Sequence, residues 1–370
     1  MPIYMDNAAS TRVNPRVLAK FNEVAKSLYG NPSSEHDEGL RARKCIQNVK
    51  EDIAYLINCN SDDVYFTSGA TMSNNILIQG VLRRHPETLF VTSTVEHNDI
   101  MELYDWLPYS KRIITVDKFG QLNMDSLWNV LTDCDVSKKP CLVSIQMANS
   151  ETGIIQPIKQ ISSLVHEYGG FLHVDATQYI PYYPIDIEDM GIDALSMSGQ
   201  KIGGIKGSGL LVARQILRDN MTSIIFGEQG LIGGTPSTPL IASLGEAFKE
   251  LNYDTSYISQ LRDSLLHSLQ KLGGELVGSE NNRLPNNIFI RFPGVKGLTL
   301  MSLLNGRDIY VGTGSACSTD SDKPSHVALA YGLTDEEAFE CVRFTLSNKN
   351  TLNEIEYVAK VLESILPLLR

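Results

Sequence analysis

Residues 142–178 read LVSIQMANSETGIIQPIKQISSLVHEYGGFLHVDATQ, and their pattern gives the clearest indication of the fold class. It contains two short apolar runs rich in β-branched residues, Leu142–Met147 and Phe171–Val174, which predict buried strands. Between them, Ile158–Tyr168 carries apolar residues at helical spacing and predicts an amphipathic helix. A strand, a helix and a second strand in this order predict two parallel strands joined by a crossover helix.

The same alternation extends in both directions along the chain. The further apolar runs that predict strands are Val64–Thr67, Leu89–Thr92, Ile113–Val116, Ala194–Met197 and Gly209–Val212. We therefore predict an α/β fold in which a mostly parallel seven-stranded sheet is sandwiched by helices.

After about Gly245 the pattern changes and predicts a smaller α+β domain. Its predicted elements are one long helix Phe248–Leu272, a hairpin-like pair of strands within Leu276–Phe292, a helix Leu298–Leu304 and a C-terminal helix from about Asn353 to Leu366. We place the large domain at residues 13–250, and the small domain at residues 1–12 and 251–370.

Composition excludes several classes of protein. The chain has 370 residues, of which 42% are hydrophobic and 20% charged, the ordinary balance of a globular protein. Its net charge of −11 disfavours binding to nucleic acid, because phosphate affinity needs clustered positive charge. The start, MPIYMDNAAS, lacks the pattern of a signal peptide, and the longest uncharged run, residues 229–245, is too rich in Gly, Ser, Thr and Pro to span a membrane. Six scattered cysteines without C-x-x-C spacing predict reduced thiols, so we expect a soluble cytoplasmic protein.

Ligands of an open parallel sheet bind beyond the carboxyl ends of its strands, so the candidate functional residues are expected there. Residues 68–74, SGATMSN, join a predicted strand to a helix, and their small side chains let backbone N–H groups approach an anion. An ordinary helix start explains the same residues, and on this stretch alone we favour it. Asp175 ends the run FLHVD and is either a simple cap or a buried carboxylate that needs a cationic partner.

Three further residues stand out from their surroundings. Lys201 follows a predicted strand among small and apolar residues, which indicates a confined amine with a lowered pKa, suited to a Schiff base. Lys206, among glycines in a predicted turn, is the second candidate for that amine. Cys317 lies in the polar stretch GTGSACSTD and is predicted to be an exposed thiol on a mobile loop, where a reactive role is plausible. Arg343 interrupts an apolar run and needs a carboxylate or a phosphate, from a ligand or from a structural salt bridge.

In their order and spacing these segments resemble the cysteine desulfurases of the NifS/IscS type, which are pyridoxal-phosphate (PLP) enzymes of the class V aminotransferase superfamily. The resemblance covers nearly the whole chain. Its most specific pieces are TSGAT at 67–71, EH at 96–97, HVDATQ at 173–178, SGQK at 198–201, GGT at 233–235, GSAC at 314–317 and RFTL at 343–346. Each is weak alone, whereas their shared order is specific.

The resemblance implies a PLP site with assigned roles. Lys201 would form the Schiff base with PLP and move the α-proton of the substrate. Asp175 would pair with the pyridinium nitrogen, and His97 would stack on the ring and assist proton transfer. Without the resemblance, His97 would be interpreted as a helix cap or a core histidine.

The remaining implied contacts hold the ring substituents, the phosphate and the substrate. Gln178 and Asn149 would hydrogen-bond the ring oxygen or the substrate. The implied phosphate ligands are Ala70, Thr71, Ser198 and Gln200. Thr235 would reach the phosphate from a second subunit, which implies a homodimer.

The implied reaction moves sulfur from L-cysteine to the enzyme. Arg343 would grip the substrate carboxylate, and the thiolate of Cys317 would attack the substrate sulfur, giving a persulfide and L-alanine. The persulfide would pass to a sulfur-acceptor protein, for iron–sulfur cluster or tRNA thiolation supply. We predict no metal site, although Cys317 is a candidate transient ligand of an iron–sulfur cluster.

Four positions depart from the family pattern. Met72 replaces a glutamate, Gln200 replaces a histidine, and Gln229 and Ile232 stand where the family has arginines. These changes leave two alternatives open: a class V relative with other chemistry, such as a selenocysteine or cysteine lyase or an aminotransferase, and a non-catalytic scaffold that binds a partner.

Overall fold

The computed structural model describes residues 2–227, 230–314 and 323–370. Its strands are β1 (Ile3–Tyr4), β2 (Val64–Thr67), β3 (Leu89–Ser93), β4 (Lys111–Ile114), β5 (Cys141–Gln146), β6 (Phe171–Asp175), β7 (Ala194–Ser198), β8 (Gly209–Ala213), β9 (Glu275–Leu276), β10 (Asn287–Arg291), β11 (Ile309–Tyr310) and β12 (Cys341–Thr345). Its helices are α1 (Pro15–Ser27), α2 (Asp37–Ile57), α3 (Ala70–Arg84), α4 (Asn98–Trp106), α5 (Met124–Ser137), α6 (Ile158–Glu167), α7 (Ile187–Met190), α8 (Gln215–Arg218), α9 (Thr238–Lys249), α10 (Ser256–Lys271), α11 (Gly297–Asn305), α12 (His326–Ala330), α13 (Asp335–Ala338) and α14 (Leu352–Ile365).

The central sheet has seven strands in the order β2-β8-β7-β6-β5-β3-β4. All neighbouring pairs are parallel except the two that β8 makes, which are antiparallel. The predicted mostly parallel sheet of seven strands is therefore confirmed. The bounds differ slightly, since β4 lies two residues and β5 one residue earlier than predicted.

Helices cover both faces of this sheet. Successive residues of each strand point to opposite faces, so Val143 belongs to the core that includes residues of α1, α2, α5, α6 and α9, while Leu142 belongs to the core that includes residues of α3 and α4. Every residue of β3, β5, β7 and β8 is buried. Burial on both faces explains why these strands are near-continuous apolar runs in the sequence.

The C-terminal part of the chain builds a second core. Strands β9, β10 and β12 form an antiparallel sheet in the order β12-β10-β9, which confirms the predicted strand pair within residues 276–292. Helices α10, α11 and α14 pack on it. Strand β1 pairs with β11, which places the N-terminal residues Ile3 and Met5 in this second core. The domain boundaries at residues 13 and 250 stay a prediction.

The predicted single helix Phe248–Leu272 is wrong. Helix α9 ends at Lys249 and α10 begins at Ser256. In the intervening turn, Asn252 Oδ1 accepts from the Asp254 N–H at 3.0 Å, and Asp254 Oδ1 accepts from the Ser256 hydroxyl at 2.6 Å. Short polar side chains that hydrogen-bond to the nearby backbone compete with helix formation. The spacing of apolar residues gives no sign of this competition.

In the part of the chain that the structure describes, no helix combines the length and the apolar character needed to cross a bilayer.

A buried arginine fastens the second core to the turn that follows β5. Arg283 donates to the carbonyl oxygens of Thr152, Val277 and Ser279 at 2.5, 2.6 and 2.9 Å. Burial lowers the pKa of Arg283 to about 10. The turn to which it is tied, residues 149–153, contributes Asn149 to the candidate site described below.

Replacing Arg283 with alanine is expected to lower the free energy of unfolding by about 3 kcal/mol, because three buried carbonyl groups lose a charged donor. Urea unfolding followed by circular dichroism measures the change. Arg41→Ala is the control, since Arg41 makes an exposed pair with Glu38 and such pairs are worth at most about 1 kcal/mol. A loss at Arg283 no larger than the loss at Arg41 would contradict the expectation.

Candidate active site

The sheet topology brings the predicted site residues to one edge. At the carboxyl end of β6, Asp175 pairs with Gln146 of β5 and with Ser196 of β7. Because β8 runs antiparallel, its first residue Gly209 lies opposite both Ser198 at the end of β7 and Thr67 at the end of β2. The ends of β2, β5, β6 and β7 therefore share this edge, as the sequence predicts.

The start of α3 forms a candidate anion cradle. Gly69 precedes the helix with a φ of 151° and provides no side-chain cap, so the N–H groups of the first turn need partners from elsewhere. The Ala70 N–H donates to Ser198 Oγ at 2.8 Å, which joins the helix to the end of β7. A Cβ on Gly209 would lie 2.4 Å from Gly69 Cα, so only glycine permits this contact. A helix N-terminus held in this way suits a phosphate group.

Two of the predicted phosphate ligands make other contacts. The Thr71 side chain hydrogen-bonds Asp99. The carbonyl of Gln200 accepts from the Thr11 N–H and hydroxyl at 2.9 and 2.8 Å, which fixes the short 3-10 turn Gly199–Lys201.

Asp175 is a buried carboxylate without a cationic partner among the described residues. Its oxygens accept from Asn74 Nδ2 at 3.1 Å and from the Thr177 N–H at 3.0 Å. Burial and the like charge of Asp99 raise the pKa of Asp175. A ligand with a protonated ring nitrogen would supply the missing cation, so this residue fits the PLP site that the sequence predicts.

Lys201 and Gln178 converge on the N-terminal segment. Lys201 Nζ donates to the carbonyl oxygens of Ala8 and Ala9 at 2.6 and 2.7 Å, and Gln178 Nε2 donates to the same Ala8 oxygen at 3.0 Å. Lys201 also lines a cavity of about 590 Å³ between the N-terminal segment and residues 347–354. Lys206, the second candidate for the amine, is exposed.

His97 occupies the cap position before α4, which is the alternative role that its sequence context allowed. Its Nδ1 lies 2.8 Å from Asp99 Oδ1, while 40% of its side chain remains exposed. Burial raises the pKa of Asp99, but hydrogen bonds from His97, Asn74 and Thr71 outweigh it and bring that pKa below its usual value. The ring is thus oriented by a charged carboxylate.

Asn149 and Arg343 meet at the turn after β5. Asn149 is buried, and its Oδ1 accepts from the N–H groups of Glu151 and Thr152 at 2.9 and 2.8 Å. Arg343 on β12 donates to Ser150 O at 3.0 Å and to Asp6 Oδ1 at 2.8 Å. The structural salt bridge that the sequence left open is therefore present.

One nitrogen atom of the Arg343 guanidinium has its hydrogen-bonding capacity unused within the described part of the chain. This atom, Nε, is buried, and it has no hydrogen-bond partner among the described residues. The Arg343 side chain is only 2% exposed, so this Nε–H group faces the protein interior. A carboxylate ligand would satisfy it.

Two buried acids, Glu96 and Glu151, received no role in the sequence analysis. Glu96 is held by the Ser93 hydroxyl at 2.5 Å and the Gln146 N–H at 2.7 Å, and burial raises its pKa to about 8. Burial also raises the pKa of Glu151 to about 7. The available signal was their position, since both lie within a few residues of a strand's carboxyl end.

Some predicted residues lie outside the described residues, among them Cys317 and Gln229. Thr235 is exposed and lines a cavity of about 340 Å³ with Ser68 of the same chain. Met72 and Ile232, two of the departures from the family pattern, line this cavity as well.

The fold is that of the PLP-dependent enzymes of fold type I, and the chain belongs to the aminotransferase class-V family, which matches residues 3–358. Enzymes of this family use PLP. Within it, the chain is similar to "Cysteine desulfurase IscS" of Methanosarcina thermophila, with 33% identity over all of this chain and 93% of that protein.

Solved structures agree with this similarity. A "NifS-like protein" superposes with a TM-score of 0.91 at 30% identity, covering all of both chains. The structure titled "SspA in complex with cysteine" matches with a TM-score of 0.82 at 29% identity, over 93% of this chain and 98% of that one.

Proposed function

We propose that the protein is a PLP-dependent cysteine desulfurase, which converts L-cysteine to L-alanine and leaves a persulfide on Cys317. The observation that carries the proposal is that the Lys201 amine and the buried Asp175 carboxylate lie at the same sheet edge, in a chain similar over its full length to cysteine desulfurases. A lysine amine for the Schiff base and a carboxylate for the pyridinium nitrogen are the two residue types that a PLP site requires.

The cofactor would be held by residues from several parts of the sheet edge. Bound PLP supplies an electron sink for the negative charge that develops on the substrate carbon. Asp175 would pair with the ring nitrogen, His97 would cover the ring and Gln178 would donate to the ring oxygen. The phosphate would be held by the first turn of α3 at Ala70 and Thr71, by Ser198 and Gln200, and by Thr235 of a second subunit. Gln200 offers a donor to the phosphate but no charge.

Arg343 would bind the substrate carboxylate. Asp6 and Ser150 fix the guanidinium from two sides, and the buried Nε remains to donate to a carboxylate oxygen. Asn149 lies beside it, one residue from Ser150. Lys201, whose amine is within 2.7 Å of two backbone carbonyls, would take the α-proton of the substrate held there.

The sulfur transfer balances without an external oxidant. The Cys317 thiolate attacks the substrate sulfur, an S–S bond forms and the Cβ–S bond breaks. The bonding electron pair leaves with Cβ, which takes up a proton to become the methyl group of alanine. Carbon is reduced as sulfur is oxidised.

We also propose that the enzyme is a homodimer in the cytoplasm and that it passes the persulfide sulfur to a sulfur-acceptor protein. The five described cysteines are free thiols, the state that a reducing compartment maintains.

Treatment of the holoenzyme with L-cysteine is expected to add one sulfur atom to the peptide that contains Cys317 and to release L-alanine. Mass spectrometry and amino-acid analysis measure the two products. Replacing Cys317 with alanine should keep the yellow colour but lower alanine release by at least about 100-fold, because the nucleophile is lost.

Cys45→Ala is the matched control for that variant, since Cys45 is a half-buried thiol on α2 and its loss should leave the rate unchanged. Formation of a keto acid would assign the protein to transamination instead. An unmodified Cys317 peptide beside full alanine release would remove this residue from the reaction.

A further inference from the structure

Glu151 is a buried acid to which the proposed reaction gives no role. It lies in the turn after β5, and its side chain points away from bulk solvent. Its backbone is fixed on both sides: the N–H donates to Asn149 Oδ1 at 2.9 Å, and the carbonyl accepts from Asn287 Nδ2 at 3.0 Å. The carboxylate therefore projects from a rigid base.

The carboxylate contacts two residues that are distant in sequence. Glu151 Oε2 accepts from the Ser325 hydroxyl at 2.6 Å. A Cβ placed on Gly314 would lie 2.3 Å from the same oxygen, so Gly314 packs directly against it. Ser325 in turn caps α12 by accepting from the Ala328 N–H at 3.1 Å. One carboxylate thus touches the chain at residue 314 and again at residue 325, on either side of Cys317.

The same turn also carries a contact to Arg343. Ser150, the residue before Glu151, accepts from Arg343 Nη1 at 3.0 Å. The charges of Arg343 and His97 act on the Glu151 carboxylate, and they oppose the rise in its pKa that burial causes. Glu151 is therefore connected to the proposed carboxylate-binding arginine and to both flanks of Cys317.

We propose that Glu151 is a positioning residue, which ties Gly314 and Ser325 to the turn that holds Arg343 and so sets the register between the substrate and the Cys317 thiol. The proposal rests on the proposed function. Its physical basis is that a reaction between two held groups depends steeply on their alignment, and a displacement of about 1 Å can cost about 100-fold in rate.

The test compares Glu151→Ala with Glu151→Gln in the holoenzyme. The alanine variant removes the acceptor for Ser325, and we expect its kcat for alanine release to fall by about 100-fold. Its KM for L-cysteine should stay within about twofold, since Arg343 keeps Asp6 and Ser150. The glutamine variant keeps a carbonyl oxygen at the same place and should restore kcat to within about fivefold of the wild type.

Two further measurements separate anchoring from other roles. Hydrogen exchange of the Ala328 amide should be faster in Glu151→Ala and unchanged in Glu151→Gln, and this readout does not depend on activity. Ser325→Ala should lower kcat by about 10-fold, and in the Glu151→Ala background it should lower kcat no further, because the two residues share one contact.

An unchanged kcat in a folded Glu151→Ala variant, a loss that falls on KM alone, or additive effects of the two substitutions would each overturn the proposal. A glutamine variant as slow as the alanine variant would overturn it too, since the proton and not the contact would then matter. A wild-type enzyme that releases no alanine would refute the proposed function itself, whereas unchanged Ala328 exchange in Glu151→Ala would refute only the anchor.

Discussion

Replacing Lys201 with alanine abolishes the activity that we propose and leaves the purified protein colourless. Lys201 is expected to supply the amine that binds PLP covalently and to move the substrate α-proton, so both functions are lost together. Its position supports this role: the short turn Gly199–Lys201 carries it past the end of β7, and its amine lies 2.6 Å from the Ala8 carbonyl that Gln178 also contacts. Loss of such a group costs at least about 1,000-fold in rate.

The measurement is the visible absorbance after reconstitution with PLP, together with the rate of alanine release. Lys206→Ala is the matched control, because Lys206 lies five residues further on and is exposed. It should be yellow and fully active. A colourless Lys206→Ala variant beside a yellow Lys201→Ala variant would transfer the role to Lys206.

Replacing Asp175 with asparagine should lower kcat by about 100-fold or more and weaken the retention of PLP. The substitution keeps the size of the side chain and its contact with the Thr177 N–H, but removes the negative charge. A buried carboxylate whose pKa is raised by burial gains stability when a cation binds beside it, and asparagine cannot provide that pairing. The ring would then lose its protonated state and much of its capacity to accept electrons.

The change is measured by the absorbance spectrum, by PLP loss on gel filtration and by alanine release. Asp193→Asn is the control, because Asp193 is also buried and accepts hydrogen bonds, from the Leu172 N–H and from His166, both at 2.8 Å. Asp193 precedes β7 and therefore lies at the opposite edge of the sheet. Equal losses of activity in the two variants would indicate a general effect of removing a buried acid, and would contradict the specific role of Asp175.

The sheet was predictable because its strands are buried on both faces. Runs such as Leu142–Met147 must be apolar along their whole length, and such runs are visible without any knowledge of contacts. The break between α9 and α10 was not predictable from apolar spacing, because the side chains of Asn252 and Asp254 form it.

The candidate site also has residues that the sequence predicts and residues that it does not. Asp175 ends β6 and Lys201 lies in the short turn after β7, where topology places ligands, so their sequence context was sufficient to select them. Glu151 and Asp6 escaped notice, because their importance lies in partners 174 and 337 residues away, Ser325 and Arg343. No local pattern encodes such a pairing.

The fold class, the family and the sheet edge that carries the candidate site were predictable from the chain alone. These follow from periodicity and from residue type at strand ends, which are local properties of the chain. The contacts between distant groups are visible in the folded chain and not before: Arg343 is held by Asp6, Lys201 and Gln178 meet at one carbonyl, and one carboxylate touches the chain on both sides of Cys317. Contacts of this kind depend on how distant segments pack, and packing is a property of the whole folded chain.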